Sequence, residues 1–477
     1  FVEISDEDLE FKQSELKKEK SKLSRKQQER TDLKGELARF REQLTDTKKR
    51  FEATFHTEPE SREAVREQEK RRIQASNRLI QVENEIRNFC EKALPFALAA
   101  ATEGGLLLAR DRMGARPLYF GYSDGDLCAA TEVKALAEIT TDVREFPPGH
   151  YYTSSGGFCR FAEVRGVDIE EKDPDSIAKR LRSILEEAIG RVTLADGLGV
   201  WLSGGVDSSV IASLASLSVP SLRSFVIGLP GSTDVEYGGI MARHLGIRHQ
   251  AVTVSPQELI AALPDAIAAL ESFDALLVRS SVTNWLVSRI VADHVPAVLS
   301  GEGGDELFAG YEYMKAIPEE NLAAELGSAV ASLSNTAFQR VDRSAHAHGL
   351  VPLLPFADAA VTEYALGIPV SLKLKEWNGR RVEKWILRKA VEGLVPENVL
   401  WRPKTKFWQG TGVQDILSEH AERTVSDADF RRERVLPNGW SLNTKEELWY
   451  YRLFAERLGG LASLDWMGRT KGAPVSS

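Results

Sequence analysis

Residues 200–212, Val-Trp-Leu-Ser-Gly-Gly-Val-Asp-Ser-Ser-Val-Ile-Ala, join an apolar stretch to a glycine and serine turn that contains Asp207. Gly204 and Gly205 allow the backbone to turn sharply and to approach an anion closely. A helix that starts after this turn would direct its first amide groups and its positive dipole end at that anion. The turn also carries three hydroxyl donors, Ser203, Ser208 and Ser209. Because Asp207 would repel a bare phosphate, the turn indicates a nucleotide that carries a metal ion.

A second glycine turn lies at residues 300–306 and reads Ser-Gly-Glu-Gly-Gly-Asp-Glu. Three of these seven residues are carboxylates, a composition that is also common in solvated loops. If the strands before the two turns are neighbours, Asp207 and Asp305 can share one Mg²⁺ ion. Glu302 would then lie nearer the reacting carbonyl. The two turns together predict a magnesium–nucleotide site.

Short apolar segments alternate with helical patterns between residues 197 and 300. The segments predicted as strands lie at 197–202, 224–229, 250–254 and 296–300, with helices from Ser208 and over 234–245. This alternation predicts a doubly wound α/β fold, in which helices cover both faces of a parallel sheet. Ligands of such sheets bind beyond the carboxyl ends of the strands, which is where Ser203 and Asp207 lie.

The rest of the chain divides by composition. Residues 92–165 are predicted to form a small, mainly β unit, with strands at 95–101, 105–109, 118–121 and 127–131. An acidic linker follows, in which Asp175 or Ser176 is placed to cap the next helix. From there to about residue 460 the pattern adds mostly helices. The predicted domains are therefore 1–91, 92–165 and 166–477.

Residues 1–91 are predicted to form an antiparallel coiled-coil arm. Their charged residues are nearly balanced, with 21 Lys or Arg and 20 Asp or Glu in the first 90 positions. Apolar residues recur every seven positions from Leu9 to Phe51, and a second run extends from Val65 to Phe89. Charged residues occupy part of the early seam. We therefore expect the first helix to fray unless a partner or a second subunit covers it.

Composition excludes several classes of protein. The three cysteines, Cys90, Cys128 and Cys159, are too widely spaced for a disulfide framework or a CxxC metal site, and they are predicted to be buried thiols. The sequence contains neither an apolar run of roughly 18 residues nor a secretory signal pattern, so we expect a cytoplasmic protein without a membrane span. Residues 91–477 hold 40 basic and 50 acidic residues, which argues against nucleic acid as their partner.

The motifs resemble a known family. Residues 203–209 resemble the Ser-Gly-Gly-x-Asp-Ser motif of the PP-loop ATP pyrophosphatases, and they lack the Gly-Lys-Ser/Thr ending of the P-loop. Together with residues 300–311 they are similar to the synthetase domain of glutamine-dependent asparagine synthetase. Further matching segments lie at 225–232, 335–343, 383–390, 401–404 and 444–447. Residues 109–119, 131–136 and 147–150 resemble the second half of the glutaminase domain of that family.

This resemblance implies both a fold and a reaction. Residues 166–477 would form a synthetase domain of the adenine nucleotide α-hydrolase type with a helical C-terminal part, and residues 92–165 would be a truncated Ntn-hydrolase-like remnant. In the implied reaction a substrate carboxylate attacks the α-phosphate of ATP and releases pyrophosphate. An amine then converts the acyl-adenylate to an amide. Both steps develop negative charge, so fixed cations and hydrogen-bond donors should supply much of the acceleration.

The resemblance also implies roles for single residues. Asp207 and Asp305 match the Mg²⁺ ligands of the family. Lys404 matches a lysine that stabilises charge on the phosphate and the tetrahedral intermediate, and Glu302 matches a glutamate that helps the amine to lose a proton. Arg279 matches an arginine near the phosphates. The implied ATP site comprises Leu202, Ser203, Gly204, Gly205, Asp207, Ser208, Ser209, Val226, Gly228, Ser300 and Gly301.

Some of these roles have alternatives. Leu202, Val226 and Gly228 are implied to line an apolar adenine pocket. Arg343 is a second candidate for the arginine near the phosphates, and a surface or supporting charge is the alternative for either arginine.

Two departures from the family pattern affect the expected activity. The family's glutaminase domain begins with a cysteine whose own amine acts as base, whereas this sequence begins at Phe1 and has a helical arm in place of the first half of that domain. Cys90 has no free α-amine. We therefore expect no glutaminase activity, with nitrogen supplied by free ammonia, a separate glutaminase or an amine on the substrate.

The second departure lies at residues 349–358, where Val351 and Leu353 replace a glutamate and an arginine of the asparagine-forming members. The loss of two charges would suit an acid less polar than aspartate, unless the pair is structural.

The motifs and the arm together leave three hypotheses. The first is an ATP-dependent amide-forming ligase, with asparagine synthesis as the leading reaction. The second is an amidotransferase or cyclase similar to β-lactam synthetases or lasso-peptide cyclases. The third is a coiled-coil scaffold with a regulatory nucleotide site, against which the complete set of site residues argues. For the arm, oligomerisation or docking of a protein such as a separate glutaminase is favoured over tRNA binding.

Overall fold

The computed structural model describes residues 95–470, except 103–104, 155, 193–196, 378 and 404–409, together with scattered positions between 24 and 42 and residues 70 and 73. The chain divides into two compact units. The large unit contains residues 113–148 and 164–477, and the small unit contains residues 5–112 and 149–163. Residues 113–148 thus group with the large unit.

Short strands occur throughout the described chain, and most of the helices follow residue 173. The strands are β1 (Ala97–Thr102), β2 (Gly105–Arg110), β3 (Tyr119–Ser123), β4 (Asp126–Ala130), β5 (Val143–Glu145), β6 (His150–Thr153), β7 (Gly157–Arg160), β8 (Leu198–Trp201), β9 (Arg223–Gly228), β10 (Arg248–Thr253), β11 (Ala297–Leu299), β12 (Val351–Leu353), β13 (Lys375–Trp377) and β14 (Arg380–Val382). The helices are α1 (Val133–Ala137), α2 (Pro174–Val192), α3 (Val206–Ser218), α4 (Thr233–Leu245), α5 (Pro256–Leu270), α6 (Ala275–Val291), α7 (Gly304–Leu307), α8 (Glu319–Ala331), α9 (Ala337–His346), α10 (Ala359–Gly367), α11 (Val370–Lys373), α12 (Trp385–Ala390), α13 (Glu397–Leu400), α14 (Val413–Thr424), α15 (Asp427–Glu433) and α16 (Lys445–Leu458). Short 3-10 helices lie at Glu312–Ala316, Leu333–Asn335 and Pro355–Ala357.

A five-stranded parallel sheet forms the centre of the large unit, in the order β10-β9-β8-β11-β12. Counted from β8, this is the order 3-2-1-4-5 of doubly wound folds, in which the direction of winding reverses between strands 1 and 4. Here that point lies between β8 and β11, where Val200 pairs with Leu299. The parallel sheet predicted from the alternation is confirmed, and the strands before the two glycine turns are neighbours. The edge strand β12 was not predicted.

The two faces of this sheet pack into separate apolar clusters. In β11, Ala297 and Leu299 belong to one cluster and Val298 belongs to the other, because successive side chains of a strand point to opposite faces. Helices supply the rest of both clusters. The first of them, α2, begins at Pro174 and is capped by Asp173, which accepts a hydrogen bond from the Ser176 amide at 3.0 Å. The cap is thus Asp173 rather than Asp175 or Ser176, since proline occupies the first helical position.

Residues 113–148 form an antiparallel sheet in the order β4-β3-β5 together with α1. A buried ion pair attaches this segment to the helices of the large unit. Glu271 accepts hydrogen bonds from the amides of Val133 and Lys134 at 2.9 and 2.8 Å, and so caps α1 from outside the segment. Arg343 in turn pairs with Glu271 at 2.8 Å and lies over the ring of Tyr119. Arg343 and Glu271 are both buried, so the pair is structural in this fold.

The small unit contains a four-stranded antiparallel sheet in the order β1-β2-β6-β7. Leu107, Tyr151 and Phe161 form part of its core. The described positions between 24 and 42 are helical, and Arg30 among them is buried against the sheet, where it donates to the Thr153 hydroxyl. The predicted pairing of two helices in the arm lies outside the described residues. None of the described helices is both long and apolar enough to cross a membrane.

The cysteines differ from the expectation that they are buried. Cys128 and Cys159 are free thiols, and each is partly exposed. Cys90 lies outside the described residues.

The Arg343–Glu271 pair makes a prediction about stability. Replacing Arg343 by Met would leave the buried Glu271 carboxylate with the part-exposed Lys134 Nζ atom, 3.5 Å away, in place of its buried partner. Breaking a buried pair costs about 3 to 5 kcal/mol. We expect urea denaturation of R343M to show a loss of that size in the free energy of unfolding. Unchanged stability together with loss of ATP turnover would instead favour the alternative role of Arg343 near the phosphates.

Candidate active site

A cavity of about 440 Å³ lies at the carboxyl ends of β8, β9 and β11, next to the point where the winding of the sheet reverses. Both glycine turns contribute to its wall. The sequence-predicted residues that line it are Leu202, Ser203, Gly205, Asp207, Ser208, Val226, Ser300, Gly301, Glu302 and Asp305. Residues separated by about a hundred positions in the sequence therefore meet in one cavity.

The first turn is shaped by its glycines and serines. Gly204 has φ +68°, and a side-chain carbon there would lie 2.5 Å from Tyr237, so the position requires glycine. The extended Gly205 precedes the first residue of α3. The Ser203 hydroxyl accepts a hydrogen bond from the Gly205 amide at 3.3 Å and lies 3.2 Å from the Ser208 hydroxyl. The first turn of α3, with these hydroxyl groups beside it, suits the binding of phosphate oxygens.

The glycines of the second turn allow it to touch the first. A side-chain carbon at Gly304 would lie 2.5 Å from the Oδ1 atom of Asp207, and one at Gly301 would lie 2.7 Å from the Asp207 carbonyl carbon. Gly303 between them has φ +97°. The glycines thus have a second role beyond an approach to phosphate, since they let Asp207 and Asp305 face the same space.

Lys384 joins the two predicted metal ligands. Its Nζ atom lies 2.5 Å from Oδ1 of Asp305 and also donates to Oδ2 of Asp207. Burial by itself would lower the pKa of Lys384, but the charges and hydrogen bonds of the two carboxylates outweigh it and raise the pKa above its ordinary value. This lysine lies in the matching segment 383–390, but the motifs predicted no role for it. The structure therefore adds a buried cation to the site.

The two carboxylates fit a magnesium ion that also binds phosphate. Both accept from a single nitrogen atom, so they converge on one point of the cavity. Within the described part of the chain no group of three or more His, Cys, Asp or Glu could hold a metal. Mg²⁺ is commonly held by one or two carboxylates, with substrate phosphates and water as its other ligands. Asp207 and Asp305 would hold the ion in this way.

Glu302 is held by Arg340, which is itself bound to Asn284, and neither residue was predicted from the sequence. Arg340 of α9 pairs with its Oε2 atom and also donates to the side-chain oxygen of Asn284 on α6. All three residues line the cavity. Arg340 lies within the matching segment 335–343, where the only arginine singled out was Arg343. This pairing fixes the position of Glu302 and places a second cation in the wall.

Glu306 forms a neutral pair with Tyr311 in the same cavity. Burial, followed by the nearby charges of Asp305 and Glu302, raises the pKa of Glu306 to about 8. The Tyr311 hydroxyl donates to Glu306, and burial raises the pKa of the tyrosine well above its ordinary value. Glu306 therefore holds its proton at neutral pH while other acids in the cavity are paired with cations.

A third cation, Arg402, lines the cavity next to the first turn. It pairs with Asp234 at 3.1 Å and lies over the ring of Tyr237, with its Cζ atom 4.2 Å from the ring centre. Arg402 belongs to the matching segment 401–404, and Lys404 of the same segment lies outside the described residues. The predicted role of Lys404 thus stays a prediction.

Of the predicted ATP-site and catalytic residues that the structure describes, four do not line the cavity. Gly204 lies in the first turn with positive φ, and Gly228 ends β9, where a side-chain carbon would collide with Ser232. Ser209 is buried within the apolar cluster around α3. Arg279 is paired with Glu446 through two hydrogen bonds of 2.8 and 2.5 Å, so its charge is neutralised within the core.

The altered pair at residues 349–358 is outside the cavity lining, although the Leu353 carbonyl accepts a hydrogen bond from the amide of Ser300, which lines it. Val351 and Leu353 are the ends of edge strand β12, and neither lines the site. The described geometry therefore gives no support to the idea that their change alters the acid that binds.

Comparison with known proteins assigns the chain to a family. The family described as Asparagine synthase matches residues 180–336 and 319–463, and the family described as Glutamine amidotransferase domain matches residues 89–153. Asparagine synthetase B (glutamine-hydrolyzing) of Escherichia coli strain K12 is 34% identical over 391 residues, which cover 77% of this chain and 70% of that protein.

Two eukaryotic relatives give similar values. A probable asparagine synthetase (glutamine-hydrolyzing) of Schizosaccharomyces pombe is 36% identical over 389 residues, covering 74% of this chain and 69% of that protein. The asparagine synthetase of Brassica oleracea is 31% identical over 385 residues and covers 76% and 65% respectively. Among solved structures, NMN synthetase from Francisella tularensis has 17% identity and a TM-score of 0.28, with 60% of this chain and 97% of that chain covered.

The pair of Glu306 and Tyr311 predicts a dependence of stability on pH. The native protein keeps the Glu306 proton up to about pH 8, whereas the unfolded chain releases it near the ordinary value of 4.5. Between these two pH values the native state binds more protons, so its stability falls as pH rises, by up to about 1.4 kcal/mol per pH unit from this group. We expect E306Q to show a shallower fall between pH 5 and 8 in urea denaturation. An equal slope in both proteins would contradict the raised pKa, and the exposed variant E456Q serves as the control.

Proposed function

The chain belongs to the asparagine synthase family, whose members are carbon–nitrogen ligases that use ATP, and from this premise we propose that it adenylates a substrate carboxylate and transfers ammonia to it. AMP and pyrophosphate are the other products. Aspartate is the leading substrate, with asparagine as the product. The chain spans 65–70% of the length of the relatives described above, so the activity of the whole protein is part of this proposal.

One observation carries the proposal. Asp207 and Asp305 follow neighbouring parallel strands and meet at a single ammonium group, beside a glycine and serine turn that opens a helix. An acidic pair in that position suits a magnesium-bound triphosphate. A site that only sensed a nucleotide would have no need of the additional Glu302–Arg340 pair in the same cavity.

In the first step the substrate carboxylate attacks the α-phosphorus of ATP. The bond between that phosphorus and the oxygen that bridges to the β-phosphate breaks. The amides at the start of α3 and the hydroxyls of Ser203 and Ser208 would hold phosphate oxygens. Lys384 and Arg402 would offset the negative charge that develops on the pyrophosphate. Magnesium, held by Asp207 and Asp305, would supply further charge stabilisation.

In the second step ammonia attacks the carbonyl carbon of the acyl-adenylate, and AMP leaves with its bonding electrons. The nitrogen must lose a proton as the amide forms. Glu302 is the proposed acceptor of that proton, held in place by Arg340, which is in turn bound to Asn284. Lys404 is proposed, on its match to the family, to stabilise charge on the intermediate.

The amine donor is proposed to be free ammonia rather than glutamine. The match to the glutamine amidotransferase family is confined to residues 89–153, and helical positions lie before it between 24 and 42. A separate glutaminase that docks on the arm, and a homo-oligomer, are further parts of the proposal. No observation in the described residues favours a β-lactam synthetase or lasso-cyclase reaction over this one.

The metal assignment predicts the effect of a single substitution. Asp305→Asn keeps the shape of the side chain and removes its charge, so pyrophosphate release from ATP and Mg²⁺ with aspartate and ammonium should fall on the order of a hundredfold or more. The matched control is Asp265→Asn on the exposed face of α5, which should retain activity. Circular dichroism of both variants tests folding. Turnover of D305N at the wild-type rate would exclude Asp305 as a metal ligand.

The nitrogen source is tested with the unmodified protein. We expect asparagine to form from aspartate and ammonium, and no glutamate to be released when glutamine replaces ammonium. Mass spectrometry with ¹⁵N-ammonium identifies the product and the origin of its amide nitrogen. Release of glutamate from glutamine by the purified protein would show that a glutaminase activity is present.

A further inference from the structure

The segment Ser463–Thr470 follows helix α16 and continues beyond residue 463, where the match to the Asparagine synthase family ends. It is firmly attached to the large unit. Trp466 is 2% exposed, contacts Tyr119 edge to face at 5.9 Å, and donates its ring N–H to the Ser463 carbonyl. Met467 beside it is also buried. This part of the chain is therefore a built element of the fold.

Gly468 brings the segment close to the start of α9. A side-chain carbon at Gly468 would collide with the carbonyl oxygen of Asn335, which lies directly before the turn into α9. Thr336 and Ala337 at this point line the cavity. The glycine thus permits the backbone to pass along the cavity wall.

Arg469 ties the segment to two buried acids. Its Nη2 atom lies 2.6 Å from Glu447 of α16, and its Nε atom lies 3.7 Å from Asp274. The guanidinium also lies over the rings of Phe273 and Trp440, with its Cζ atom 5.6 and 5.7 Å from their centres. These contacts fix the position of the next residue, Thr470.

Thr470 is bound to the start of α6 and lines the cavity. Its amide donates to Oδ2 of Asp274 at 2.9 Å, and its hydroxyl donates to Oδ1 of the same carboxylate at 2.8 Å. Asp274 is fully buried and also caps α6 through the amides of Leu276 and Leu277. Thr470 is thereby anchored to the start of α6, while Gly468, two residues before it, lies against the start of α9.

This position lies on the part of the cavity wall that helices α6 and α9 form. These helices also carry Asn284 and Arg340, and Arg340 pairs with Glu302, the proposed proton acceptor, whereas Leu202 and Val226, which are implied to bind adenine, lie at the ends of β8 and β9. The hydroxyl proton of Thr470 is already donated to Asp274. Its oxygen can therefore serve a ligand only as a hydrogen-bond acceptor, which suits a donor such as an ammonium group.

We propose that Thr470 is a specificity-determining residue, whose hydroxyl oxygen accepts a hydrogen bond from the ammonium group of an amino-acid substrate. The segment Ser463–Thr470 holds it in that position through Trp466, Arg469 and Asp274. The proposal rests on the proposed function in that the substrate is a carboxylic acid that becomes adenylated. It adds that the enzyme selects this acid by its amino group at a residue outside the family match.

The experiment compares two acids that differ in the amino group alone. Pyrophosphate release is measured with L-aspartate and with succinate, each with Mg-ATP and ammonium. For the wild type we expect a higher kcat/KM with aspartate. Thr470→Val should reduce the ratio of the two kcat/KM values on the order of tenfold, mainly through the KM for aspartate, since a hydrogen bond to a charged group is lost. Thr470→Ser keeps the hydroxyl and should restore the ratio.

Control measurements separate recognition from stability. Thr424→Val removes a threonine hydroxyl from the exposed end of α14 and should leave the ratio at the wild-type value. Thermal unfolding of each variant reports any structural loss. A Thr470→Val ratio equal to that of the wild type, or a rise in the KM for ATP without a change in the ratio, would overturn the proposal.

Failure of the proposed function gives a different result. If the wild type releases no pyrophosphate with either acid, adenylation of aspartate is wrong. The role of the segment is then judged by hydrogen–deuterium exchange of residues 463–470 with Mg-ATP and L-aspartate. Greater protection with aspartate than with Mg-ATP alone supports binding at Thr470, and equal protection overturns it.

Discussion

The approach of Asp207 and Asp305 to one point is the interaction on which the rest of the site depends. Two carboxylates this close repel each other unless a cation lies between them, and in this structure the cation is Lys384. Their approach needs two neighbouring parallel strands that end at the same level. It also needs glycines where the two turns touch, because a larger residue at 301 or 304 would displace Asp207. Sheet order, turn composition and the buried lysine therefore all contribute to bringing the two carboxylates together.

The acids of the cavity are neutralised in two ways. Most face a cation, as in the pairs Glu302–Arg340, Asp234–Arg402 and Glu312–Lys315. Glu306 instead keeps its proton, because burial and the charges of its neighbours raise its pKa to about 8. The cavity can thus hold many carboxylates without a large excess of charge. A polyanionic nucleotide is favoured by cations that are already in place and that need little rearrangement.

Local sequence pattern predicted the parallel sheet and the meeting of the two turns. Alternation of strands and helices is a short-range signal, and the carboxyl ends of parallel strands necessarily share one edge. Local sequence pattern could not predict the partners of the charged residues. Lys384 is 177 positions from Asp207, and Arg340 is 38 positions from Glu302. Arg279, Arg340 and Arg343 all lie on helices, and only the packing of those helices decides which of them reaches the cavity.

The difference between local sequence pattern and helix packing also matters for substrate choice. A change of two charges at residues 351 and 353 suggested from sequence that the acid had changed, yet both positions lie on edge strand β12, outside the cavity wall. Residues of α6 and α9, together with Thr470, do line the cavity. A side chain can discriminate between acids only where it touches them or holds a group that does. We therefore expect the walls formed by these elements to decide specificity, and a comparison of family members to be most informative at their positions.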